Sequence, residues 1–455
     1  MLIIPSFLGL YQYGQLTYLA STLIFIISFF SFSTEHGFVY YLSSKDKSKN
    51  INNYFYLFIF LSILFLLFLS ISIINNFLNT IIWKSAYEIN IFIYAAIYAL
   101  LFSFQQRLSD LADGIKKTNL SESIKFLCNS FSTIFIYFLI TSNFFSIDYY
   151  FILQTLSMIL YLYFVLPKLN ISISKINFSD FKSYISKLFK YTKNIFIYST
   201  IALSFTFFTR YVLVSSGGFD ESAIYVISYQ YAVFPVILLS SISFILLNDL
   251  SIIIKKNAIK EIKIIFLERF HKFVFIYSII IFLLRFNAEE IFLFIYEQEA
   301  IKFIMTFKVL IIFSFFHIFS LFSNQLLFAM NKSKIYGLAN NFFQLLGIII
   351  LAFILLYYKV TSIEIALVVL LIFSFRSLCT FFISLYYLKI SLLFYFIKII
   401  SIITFVLIYF ILCSLLGFKF IFQILLVIPI LVYINFTFNN FLDFNKKDLK
   451  FFFIK

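Results

Sequence analysis

Long apolar runs alternate with short polar stretches along nearly the whole chain. About 20 apolar residues in a helix cover roughly 30 Å, the thickness of a bilayer core. On that measure the pattern predicts thirteen spanning helices, over 16–42, 54–74, 86–106, 124–145, 149–169, 194–216, 222–247, 273–288, 304–330, 335–357, 363–388, 392–416 and 420–438. A short apolar piece, Met1–Leu10, precedes them and is followed by a loop-like YQYGQ. The pair of runs within Asn194–Leu247 sets the character of the chain. The polar loop GGFDES joins them, and Arg210 sits inside the first run, at membrane depth. A charge there is costly unless it faces a polar cavity or a partner.

The polar stretches fall into two alternating sets. One comprises 43–53, 107–123, 170–193, 248–272, 331–334, Lys389 and the tail 439–455. With the helix-end residues Lys125 and Lys168 it holds 26 of the 35 lysines and arginines, whereas the opposite set holds four. That opposite set carries acids instead, among them Asp220, Glu221, Glu289, Glu290, Glu297 and Glu299. The excess of Lys and Arg marks cytoplasmic loops, so the bias predicts a multi-pass protein with a cytoplasmic C-terminus. The basic stretches 170–193 and 255–272 are amphipathic enough to lie on the inner surface, against anionic headgroups.

Composition agrees with this reading. Of 455 residues, 63% are hydrophobic and 12% charged, where a soluble domain has about 25% charged. Mean hydropathy is +1.02. The net charge of +15 is explained by the basic loops, and no nucleic-acid partner is expected. The three cysteines, Cys128, Cys379 and Cys413, lie in apolar runs without metal or disulfide spacing. No phosphate-binding loop, nucleotide fingerprint or metal cluster is present, so no cofactor is expected and the chain does not read as an enzyme.

Internal similarity divides the chain. LADGIKKTNLSESIKFLCNSF (111–131) can be laid over LFAMNKSKIYGLANNFFQLLG (327–347), and SFLGLYQYGQLTYLAS (6–21) under VSSGGFDESAIYVISY (214–229). The order and spacing of the matches predict two similar six-helix halves, an arrangement usual in transporters with a substrate site at the repeat interface. The expected organisation is an N-terminal bundle (1–169), a cytoplasmic basic linker (170–193), a C-terminal bundle (194–390), two extra spans (391–438) and a cytoplasmic tail (439–455).

Within the spans, five cations face one carboxylate. Arg210 lies about two-thirds of the way along 194–216, and Arg376 is near the middle of 363–388. Lys398 is two turns into its run, and Lys308 and Arg285 lie near run ends. Glu35 sits near the end of 16–42 and His317 is mid-span. The imbalance points to a cavity for an anion, because Arg grips phosphate oxygens in bidentate fashion and Lys acts as a point charge. Against this stands a plainer account. Arg285, Lys308 and Lys398 can snorkel to an interface, Arg210 and Arg376 can bond neighbouring hydroxyls and carbonyls, and His317 can be a packing residue. Glu35 and His317 are candidates for ion coupling or for purely structural pairing. Pro235 is expected to kink its helix.

These residues resemble a family. IIPSFLGLYQYGQLTYLAS…HGFVYYLSS, INFSDFKSYISKLFKYTKNIFIYS, TRYVLVSSGGFDESAIYVISYQY and LLFAMNKSKIYGLANNFFQLLGIIILAFIL are similar to stretches of bacterial polysaccharide-transport proteins. These are the Wzx-type O-antigen flippases of the multidrug/oligosaccharidyl-lipid/polysaccharide exporter superfamily. The resemblance covers most of residues 1–390 and rests on topology and scattered residues. Two departures stand out. Tyr211 and Val212 follow Arg210 where the family often has an acid, and Pro5–Leu10 resembles only the outer end of the family's first helix. The expected fold is therefore an all-α polytopic membrane protein of two pseudo-symmetric six-helix bundles plus two C-terminal helices, with the first helix truncated.

The resemblance implies translocation of an undecaprenyl-diphosphate-linked oligosaccharide, an O-antigen or related repeat unit. The two halves would rock around a central cavity whose cations, Arg210, Arg376, Lys308, Lys398 and Arg285, offset the diphosphate. The lipid tail would stay in the bilayer against the last two spans. Membrane lipids, and polymerase and chain-length proteins, are the expected partners. Two alternatives remain open: a multidrug/cation antiporter of the same superfamily, which needs cavity carboxylates, and a membrane-embedded polysaccharide polymerase, which needs a sizeable outer loop.

Overall fold

A computed structural model describes residues 4–34, 38, 47–114, 117–169, 178–255, 259–330, 332–390 and 392–415. Over these residues the chain is all-helical. In chain order the helices are α1 (Ile4–Phe30), α2 (Lys47–Ile74), α3 (Ile89–Gly114), α4 (Thr118–Thr141), α5 (Ile147–Leu169), α6 (Phe178–Ser216), α7 (Gly218–Lys255), α8 (Ile259–Phe286), α9 (Ala288–Tyr296), α10 (Ile301–Ala329), α11 (Ser333–Tyr357), α12 (Ser362–Tyr387) and α13 (Leu392–Leu415). Among the described residues nine of these are long and apolar enough to cross a membrane, namely α1 to α6 and α10 to α12. The run expected at 420–438 lies outside the described residues.

Several boundaries differ from the sequence reading. The YQYGQ stretch is helical and continues α1, while the break falls at Gly9 (φ 75°, ψ 163°). This backbone region is open almost only to glycine. The helix expected to reach residue 42 stops at Phe30, and Phe32 and Ser33 take positive φ just beyond it. The described parts of the basic stretches, 178–193 and 259–272, are helical and continuous with the apolar runs that follow them: α6 begins at Phe178 and α8 at Ile259. Neither helix contains Gly or Pro, so nothing in its sequence interrupts the backbone ladder. α7 runs unbroken through Pro235.

The chain divides into two compact units. The first comprises residues up to Ala223 with Ile348–Thr361, and the second Ile224–Gly347 with the residues from Ser362 onward. In the first, α5 packs on α3 and α4, and α1 packs on α3, α6 and α2. Polar side chains join α3, α4 and α5. The buried Tyr161 hydroxyl meets Ser121 Oγ at 2.6 Å and Ser109 Oγ at 3.3 Å. Gln154 donates to Ser132 at 3.1 Å, and Ser157 donates to Asn129 Oδ1 at 3.3 Å. Such bonds, with small residues that let backbones approach, are what holds helices together in lipid, where apolar burial gives little drive.

In the second unit α10 packs along α12 and also against α8 and α9, and α8 carries α13. The α12 face turned inward is Ile365, Ala366, Val369, Ile372, Arg376, Ser377, Thr380 and Ser384, the three-and-four spacing of one helical stripe. Serines and threonines recur at this seam. Thr306 meets Ser362 at 3.1 Å, Ser228 donates to the Phe303 carbonyl at 3.1 Å, and Ser314 donates to the Ala232 carbonyl.

Candidate functional site

In the first unit the relevant cation is Arg210, six residues before the end of α6. It is half-buried, and its Nη1 donates to the Thr17 carbonyl of α1 at 3.4 Å. The surroundings are fixed by a close helix-end junction. Gly14 lies so near Phe219 that a Cβ on it would overlap the Phe219 carbonyl oxygen. Gln15 donates to the Ala86 carbonyl at 3.2 Å, Tyr87 donates to the Gln15 carbonyl at 3.0 Å, and Tyr18 donates to the Ile82 carbonyl at 2.8 Å. The segment 79–83 is a single π-helical turn closed by Lys84 at φ 56°. That geometry places the Lys84 ammonium 4.1 Å from the centre of the Tyr211 ring, within cation–π range. A lysine and an arginine thus converge on one aromatic end of this unit, beside Tyr11, Tyr18, Tyr87 and Phe219.

In the second unit Arg376 is 6% exposed. Its guanidinium carbon lies 4.1 Å from the Phe373 ring centre, one turn earlier on α12. Its Nε has no hydrogen-bond partner, and no carboxylate lies in ion-pair range among the described residues. The phenols of Tyr229 on α7 and Tyr336 on α11 and the imidazole of His317 on α10 are within electrostatic reach. Asn324 donates to the Tyr336 hydroxyl at 2.9 Å. The hydroxyls of Ser320, Ser374 and Ser377, all buried, also lack partners. A buried charge without an acidic partner carries several kcal/mol of desolvation.

Lys308 and Arg285 form a separate cluster at the α8–α9 junction. The Lys308 ammonium pairs with Glu289 Oε1 at 2.9 Å, and Arg285 Nη1 donates to the Lys308 carbonyl. Lys308 therefore has a carboxylate partner that the count of intramembrane charges had not supplied. The backbone of Lys398 lies in α13, and its side chain and Glu35 fall outside the described residues.

No protein-family profile and no curated protein matches the chain. Solved structures do. The lipid II flippase MurJ, in an inward closed conformation, superposes with a TM-score of 0.73 at 14% identity, over 97% of this chain and 96% of that one. An inward-facing multidrug resistance MATE family transporter of the MOP superfamily gives 0.63 at 12% identity, over 84% and 94%. The chain has the MOP transporter fold. A further MOP superfamily transporter, from Pyrococcus furiosus, described by a reversed polarity of its binding pocket, gives 0.51 at 13% identity, over 85% and 87%.

Within the MOP fold, sequence reasoning had singled out Arg376 and His317 separately, and the structure places them within electrostatic reach of one another. It had missed Tyr229, Tyr336, Asn324 and Phe373. Of these only Phe373 carried a local signal, its position one turn before the arginine. The others come from α7, α10 and α11, and the apolar pattern does not specify which turns of those helices meet α12.

Proposed function

We propose that the chain is a flippase for a lipid-linked oligosaccharide, moving an undecaprenyl-diphosphate-linked repeat unit between the leaflets of the bacterial inner membrane, with its C-terminus in the cytoplasm. The observation that carries this reading is Arg376: a buried guanidinium at mid-span, free of any carboxylate partner among the described residues. Arg210, half-buried near the end of α6, is the second cation at depth. A diphosphate carries the negative charge that Arg376 lacks beside it among the described residues, and guanidinium forks match its oxygens. Lys308 is neutralised by Glu289 at 2.9 Å, so the reading rests on the two arginines. The Lys84 and Tyr211 pair supplies an aromatic and cationic surface against which a sugar can rest. Fold likeness to a lipid II flippase and to multidrug transporters supports transport, and the cations favour an anionic cargo over a cationic drug. No ATPase motif is present, so the reading requires an ion gradient, the membrane potential or substrate supply as driving force.

The test is a deletion strain analysed for surface glycan by gel and for lipid-linked precursors by extraction. Loss of surface polymer with complete repeat units accumulating on the inner leaflet is the expected result. Intact surface glycan with new sensitivity to cationic dyes would replace this reading with cation antiport. Single repeat units displayed unpolymerised would point to a polymerase.

A further inference from the structure

Between α8, α10, α12 and α13 lies a cavity of about 380 Å³. Its wall is hydrocarbon, including Phe282, Ile312, Phe316, Leu378 and Ile403, and it contains one charge, Arg285. Water is a poor occupant, because a buried water needs two to four polar partners. A hydrated ion is a poorer one. Arg285 is the second-last residue of α8, and the exposed Glu289 and Glu290 follow within one turn. The cavity therefore has an interfacial end marked by a guanidinium and an apolar remainder. Lys308 beside it is neutralised by Glu289 at 2.9 Å, so Arg285 is the cation at this end without a carboxylate in ion-pair range among the described residues.

We propose that this cavity binds one acyl chain of an anionic phospholipid, with the lipid phosphate on Arg285. The lining selects the occupant: ten of its eleven side chains are hydrocarbon and the one charge is a cation, which suits an acyl chain that ends in a phosphate. The guanidinium has five N–H donors and spends one on the Lys308 carbonyl, which leaves a fork for phosphate oxygens. A lipid seated here bridges α8, α10, α12 and α13, so its occupancy bears on how α13 is held. Its occupancy is read without transport, so the test does not depend on the proposed cargo.

Trp83 is the chain's single tryptophan, which gives a direct readout. A Trp83→Phe, Phe316→Trp chain is reconstituted into phosphatidylcholine bilayers containing either phosphatidylglycerol or phosphatidylcholine brominated along the acyl chain. Quenching by the brominated phosphatidylglycerol is expected to saturate at about fivefold lower mole fraction than by the brominated phosphatidylcholine, the selectivity of one cation for a net anionic headgroup. Arg285→Gln is expected to remove the difference. Equal titrations in the parent, or no quenching by either lipid, would overturn the proposal. Displacement of phosphatidylglycerol by equimolar undecaprenyl phosphate would assign the cavity to the carrier lipid instead. Because Trp83 is buried and donates to Ser72 at 3.0 Å, its replacement can perturb folding. Native mass spectrometry of the unaltered chain from mixed lipid micelles covers that case: one retained phosphatidylglycerol, lost in Arg285→Gln, is expected, and equal retention by both chains would sink the idea.

Discussion

Arg376 separates function from stability at the level of one side chain. Replacing a buried, unpaired charge by an apolar group of similar length removes its desolvation cost and is commonly neutral or stabilising. Arg376→Met is therefore expected to leave the unfolding midpoint in detergent unchanged or higher while abolishing glycan export in a deletion background. A lower midpoint with export retained would assign the residue a structural task. Gly14 is the converse. Its Cβ would meet the Phe219 backbone, which no side-chain rotation relieves, so Gly14→Ala is expected to cost about 1–3 kcal/mol, read as a lower midpoint and lower membrane yield. The burial of Arg376 was legible in the sequence because it interrupts an apolar run. The Glu289 partner of Lys308 was not. The acids at 289 and 290 read as loop, whereas the chain there folds into α9 and turns Glu289 back towards α10.

Helix existence followed from the apolar runs, but helix ends did not. Runs of apolar residues mark where lipid begins, and a helix stops only where the backbone ladder fails. α6 and α8 extend well beyond their apolar parts because nothing in Phe178–Lys193 or Ile259–Lys272 breaks them. The reverse holds at α1, where apolar residues continue past Phe30 but Phe32 and Ser33 adopt positive φ. The polar contacts between α3, α4 and α5 were also invisible in the pattern, since isolated serines and tyrosines in apolar runs have no fixed partner until the helices are packed. Tyr161→Phe deletes the hydroxyl that bridges Ser109 and Ser121. It is expected to destabilise the first unit by about 0.6 kcal/mol and no more than about 1.7, measured as a shift in denaturant midpoint, with export unaffected.

For the molecule as a whole, the alternation of basic and acidic loops is the feature that fixes orientation, because translocation leaves Lys-rich and Arg-rich segments behind in the cytoplasm. The expectation of an all-α polytopic chain rests on the same pattern as that orientation, and the MOP fold bears out the first. The second is tested with single cysteines in a chain lacking Cys128, Cys379 and Cys413. Asp220 is exposed at the start of α7 in an acidic loop, and Thr118 is exposed at the start of α4 beside Lys116 and Lys117. Asp220→Cys is expected to react with an impermeant thiol reagent applied to cells with a permeabilised outer membrane, and Thr118→Cys only after lysis. The reversed pattern would place the basic loops outside. It would also exchange the two ends of the Arg285 cavity between leaflets, putting its guanidinium on the cytoplasmic face, where anionic lipids concentrate.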